Sequence, residues 1–167
     1  AAALGSGHGF YTVFWWWDVY LHTFWGFICA GIGFALFSEC MSRRGIHNSP
    51  VLLYSGFAFC FSLSTSVIWE FLEFSADTFF GMDVQKDTLL SEIHSTLITA
   101  DGSVGTVQNI TGVSVNGEPL ISGGYLDIGL FDTVEDMFVG FVGALVFAVI
   151  AAFYLKNKRK KTDNIGK

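Results

Sequence analysis

Seven ionisable side chains stand inside or beside long apolar runs, where charge is expensive and seldom kept without a use. Asp18 and His22 lie four apart behind a tryptophan cluster, and Glu70, Glu73 and Asp77 follow Trp69. Asp132 and Asp136 open a third apolar run. Carboxylates with one imidazole can ligate a divalent cation, and such a donor set suits Zn, Mn, Mg or Fe. The same groups can instead carry a proton, or activate a water molecule. Asp18, His22, Glu70, Glu73, Asp77, Asp132 and Asp136 are therefore the candidate ligands. Glu70, Asp136 and His22 are the candidate catalytic groups. The pairing resembles carboxylate-bridged metal bundles only in outline, because their repeated Glu-x-x-His motif is missing.

Three stretches must position these groups, at about 19–38, 51–72 and 137–155. Each is near the ~20 apolar residues that span a bilayer as a helix. The 167-residue chain has 14% charged residues, 18 Phe and 5 Trp. Its mean hydropathy is +0.50. A water-soluble domain needs more charge to cover its surface. The net charge of -6 argues against a nucleic-acid partner. The lipid bilayer is the expected partner.

At about 100° per residue, each helix shows a stripe of small residues leading to acids. Asp18 and His22 continue into Gly26, Ala30 and Gly33, while Ser55, Ser62 and Ser66 lead to Glu70, Glu73 and Asp77. Asp132 and Asp136 lead to Gly140, Gly143 and Ala151. Small residues let helices approach closely in lipid, so facing stripes would gather the acids into one pocket.

Arg43 and Arg44 lie between the first two runs, and the tail at 156–167 is rich in Lys. By the positive-inside rule both are cytoplasmic, which leaves the acids facing outward. The expected fold is an all-α, multi-pass bundle of at least three spans in the inner or plasma membrane of a bacterium. Between the last two spans comes an outer insertion at about 82–131. Within it, 87–99 reads as a short helix or interfacial segment. Val and Ile alternate with polar residues around Asn116-Gly117, a hairpin signal. Phe14, Trp15, Trp16 and Trp17 read as an interfacial belt. The chain starts at Ala1, and three spans with an outside start fit a fragment that lacks upstream spans.

Plainer roles compete for some of these residues. Asp132 and Glu135 form a capping-box pattern before the third run. His22 could bond across a helix interface, and Glu70 could do the same. His8, His47 and His94 have no acidic company at helical spacing. Cys29 and Cys60 read as small packing residues.

The segments WDVYLHTFWG, VIWEFLEFSADTFFG, MDVQKDT and GYLDIGLFDTVEDMFVGFVGA together resemble the YjdF-like bacterial integral-membrane proteins, a family of unassigned function. The likeness runs from Trp17 to about Phe153. It implies that Asp18, His22, Glu70, Glu73, Asp77, Asp87, Asp132 and Asp136 occupy the family's signature polar positions. It also implies further spans upstream. It supplies no reaction.

Three functional classes stay open at this point. The first is a metal-assisted hydrolase or transferase working at the outer surface, and the second a proton- or cation-coupled transporter. The third is a non-catalytic membrane assembly or stress factor. Pro50 and Pro119 lie outside the runs, so helices broken by Pro at mid-membrane are not indicated.

Overall fold

The computed structural model describes residues 16–46 and 49–165. Phe14, Trp15, His8 and His47 lie outside them. The chain divides into two compact units, residues 1–72 with 135–167, and residues 73–134.

The first unit is a helical bundle. Helix α1 covers Trp17–Arg43, α2 covers Val51–Phe80 and belongs to the bundle through Leu72, and α3 covers Leu130–Ile165 and belongs to it from Glu135. All three are long and apolar enough to cross a membrane. They outrun the apolar stretches because their flanks are still good helix formers, including the Lys-rich end of α3. The turn after α1 is set by Gly45, at φ 71°.

Packing follows the small-residue stripes. Gly26, Cys29, Ala30 and Gly33 are buried on α1, and Ser55, Ala58, Ser62 and Ser66 on α2. Ala144 and Ala151 are buried on α3, as are Gly140 and Gly143. A Cβ at Gly26 would strike the Gly140 carbonyl, and one at Gly143 the Thr23 carbonyl. Thus α1 and α3 touch backbone to backbone, and they run parallel, with His22 beside Asp136 and Gly31 beside Phe147 further along. Ser62 Oγ donates to the Gly26 carbonyl at 2.7 Å, tying antiparallel α2 to the same crossing. Ala30, Ala58 and Ala144 form the central contact, with Phe34, Phe59 and Phe147 packed around it. Tyr20, Phe24, Leu52, Phe71, Phe138 and Phe153 are exposed, the surface expected of helices solvated by lipid.

The second unit carries six short strands in three antiparallel pairs. They are β1 (Thr88–Leu90), β2 (Glu92–Ser95), β3 (Gly105–Gln108), β4 (Gly112–Val115), β5 (Glu118–Ser122) and β6 (Tyr125–Asp127). The pairs are β1 with β6, β2 with β3, and β4 with β5. Asn116 and Gly117, at φ 53° and 86°, turn β4 into β5 as the alternation around them requires.

The segment 87–99 is not the short helix that was one of its two expected forms. It holds β1, β2 and only one 3-10 turn, Thr96–Ile98. A helix of about a dozen residues is marginal in isolation, and this one is crowded with Thr, Ser, Ile and His. Backbone pairing with β3 and β6 wins instead.

Candidate functional site

Four of the seven candidate ligands converge within the bundle. Asp18 and His22 come from the first turns of α1, Glu70 from the last bundle turn of α2, and Asp136 from the start of α3 in the bundle. The glycine contacts set their separation: where Gly26 meets Gly140, the residues one turn earlier, His22 and Asp136, are brought side by side. His22 Nε2 stands 3.1 Å from Asp136 Oδ2 and 3.7 Å from Asp18 Oδ1. These three residues can each offer a ligand atom within 4.8 Å of the others, and a Glu70 oxygen lies equally close to one of Asp136. Asp136 is thus common to both contacts.

Burial decides how strongly these groups feel one another. Asp18, Glu70 and Asp136 are buried, and His22 is half-buried. Opposite charges attract far more strongly at low effective dielectric, and like charges repel equally strongly. Two carboxylates, of Asp18 and Asp136, flank the imidazole, and Glu70 adjoins Asp136, a set of donors that a proton or a cation can share. Ser66 packs against the α3 backbone one turn further on: a Cβ at Gly140 would stand 3.1 Å from Ser66 Oγ.

Glu73 lies one turn past Glu70, half-buried, as the first residue of the second unit. Asp77 and Asp132 have partners inside that unit. Asp77 accepts the Val84 and Gln85 amides at 2.7 and 2.9 Å, closing the chain just after α2. Asp132 accepts the Lys86 amide at 2.9 Å and pairs with its ammonium at 3.5 Å.

The capping box expected of Asp132 and Glu135 is not what starts α3. The helix begins earlier, at Leu130, and the Phe131 amide donates to Asp127 at 2.9 Å. Gly129, at φ 92°, makes the turn that aims this carboxylate at the helix start. An Asp two residues before a glycine and a helix was the available signal for it. Buried Gln85, which donates to Thr133 Oγ1, had no sequence signal beyond lying in a polar loop.

Elsewhere in this unit, Asp87 has its carboxyl held above the usual range, by lost hydration first and then by the negative charges of Asp83, Asp127 and Asp77. Asp101 is held below that range by the hydroxyl and then the amide of Ser103. His94 contacts Thr106 across the β2–β3 pair and Glu92 two residues back on its own exposed strand, an ordinary surface arrangement.

The family model described as "Predicted membrane protein (DUF2238)" matches residues 1–157. The chain belongs to this family. The YjdF-like resemblance is consistent with DUF2238, and membership agrees with three helices able to cross a membrane. No curated protein and no solved structure matches the chain. DUF2238 membership thus carries a location in the membrane and no activity, so the functional reading rests on the site.

Proposed function

We propose that the bundle holds a divalent cation between Asp18, His22, Glu70 and Asp136, and that the ion supports hydrolase- or transferase-type chemistry at the outer membrane surface. The observation that carries this is the placement of His22 Nε2 at 3.1 and 3.7 Å from two carboxylate oxygens, with Glu70 beside the shared Asp136. Donors around one ion with bonds of about 2.1 Å stand roughly 3.0–3.4 Å apart, close to these separations. A bound ion would act as a Lewis acid and lower the pKa of a coordinated water. Glu73, Asp77 and Asp132 complete the wider acidic set read from the sequence. The basic link at Arg43 and Arg44 and the Lys-rich tail favour a cytoplasmic position for the other end of the bundle, leaving the site outward.

A proton relay is the second reading, favoured by the same 3.1 Å contact, which a proton on His22 Nε2 would bridge. Metal analysis separates the two. Purified wild type under metal-replete conditions should hold about one ion per chain, and His22→Ala and Asp136→Asn should lose it. An impermeant chelator should strip the ion from right-side-out vesicles. No stoichiometric metal in the wild type overturns the metal reading, and stripping only from inverted vesicles overturns the orientation.

A further inference from the structure

The opposite end of the bundle holds a cleft of about 590 Å³ between the last turns of α1 and α3. This falls within the ~300–1,000 Å³ usual for small-molecule sites. Its two walls are ordered alike. On α1, Phe34, Ser38 and Ser42 are spaced four apart on one face, and on α3 so are Tyr154, Lys158 and Thr162. Each wall therefore passes from an aromatic ring near mid-helix to polar groups near the helix end. Leu155 and buried Tyr54 extend the apolar part, and half-buried Arg159 joins Lys158 at the polar part.

Among the described residues no carboxylate lines this cleft, although the chain as a whole carries a net charge of -6. The nearest exposed acid on α1, Glu39, is already paired with Arg43 at 2.7 Å. Arg159 donates one N–H to the Ser49 carbonyl, which anchors its guanidinium at the rim. A guanidinium has five donors, so others remain for an anion. Two cations, hydroxyls beside them and an apolar floor beneath match a molecule with an anionic phosphate at one end and hydrocarbon at the other. Basic pockets between membrane helices recognise lipid headgroups in this way. Free phosphate would leave the aromatic floor unused.

We propose that this cleft is a binding site for one anionic phospholipid, its phosphate on Lys158, Arg159 and the Ser38 and Ser42 hydroxyls and the start of an acyl chain against Phe34, Tyr54 and Leu155. The full chain, delipidated and placed in phosphatidylcholine nanodiscs, is titrated with fluorescent phosphatidylglycerol. Saturable binding of about one lipid per chain is expected. Lys158→Gln with Arg159→Gln should weaken it about tenfold. Lys160→Gln with Lys161→Gln removes the same charge from exposed positions outside the cleft and should change it less than about twofold. Ser42→Leu keeps every charge and obstructs the polar end, so it should weaken binding even if the double variant fails to fold. Equal loss in both Lys/Arg variants overturns the site in favour of general surface attraction. Binding that never saturates overturns it too, and equal competition by soluble glycerol phosphate assigns the cleft to free phosphate instead.

Discussion

Acids in the bundle and acids in the strand-bearing unit have the same chemistry and different company. In the second unit, Asp77, Asp127 and Asp132 each accept at least one backbone N–H where the chain turns or starts a helix. Such amides need acceptors, and an aspartate is a short, ready one. In the bundle, helix backbones satisfy themselves, and Asp136 instead stands near His22 and Asp18 on one side and near Glu70 on the other. A carboxylate among amides stabilises a turn, whereas carboxylates gathered beside an imidazole inside a bundle offer donors that a cation or a proton can share. That contrast ranks the acids as candidates better than their spacing does.

The contrast breaks most severely if the helices cannot approach. Gly26→Val drives a side chain into the Gly140 backbone, which cannot yield as a flexible side chain would. A loss of about 3 kcal/mol or more is expected, seen as a collapse in detergent melting temperature. Gly56→Ala, where a Cβ meets nothing within 4 Å, should melt like wild type or slightly above it. Equal melting of the two variants would contradict the close crossing that builds the site.

A second comparison sets Glu70→Gln against Asp77→Asn. The first keeps hydrogen-bonding capacity, and interhelical bonds in membranes average ~0.6 kcal/mol, so melting should barely move while metal content and any deletion-complementing activity are lost. The second leaves an acceptor of weaker charge beside two amides and should cost about 1–2 kcal/mol. Faster hydrogen exchange at Val84 and Gln85 should report it, with bound metal unchanged. A Glu70→Gln protein that folds, holds metal and complements would remove Glu70 from the site. Metal loss in Asp77→Asn would add Asp77 to it.

The smallest effects concern pH in the second unit. The Asp101 carboxyl is lowered, so its contribution is complete above the ordinary value of 3.8 and disappears as pH falls through the depressed folded value. Exchange protection of the Ser103 amide should vanish only in that acidic window. Asp87 is raised, so its contribution is complete below 3.8 and is lost as pH rises through the folded value. Asp83→Asn removes one of the repelling charges and should bring the Asp87 titration, followed by carboxyl NMR, back toward ordinary. An unmoved titration would leave lost hydration as its cause, without Asp83.

Much of the bundle was legible because helical periodicity is local. The stripe from Asp18 through Gly33 and the one from Ser55 through Glu70 are read one turn at a time, and each is the buried face. The β4–β5 turn was legible for a similar reason, since Asn116-Gly117 carries its own backbone preference. Strand β1 was not, because Thr88–Leu90 finds its partner at Tyr125–Asp127, and nothing in the local pattern names a partner so far along the chain.

The sequence by itself determined that this chain belongs in a membrane, where the apolar middles of its three long helices lie, and which face of each is small enough to pack. Those properties come from hydropathy, periodicity and side-chain volume, all additive along the chain. Only the tertiary structure decided which acids meet. His22 reaches Asp136 because α1 and α3 cross at Gly26 and Gly140, and Asp132 binds Lys86 because a loop returns to it. Both outcomes depend on distances between segments far apart in sequence, and a carboxylate's role is set by whichever donor or charge those distances bring within a few ångströms.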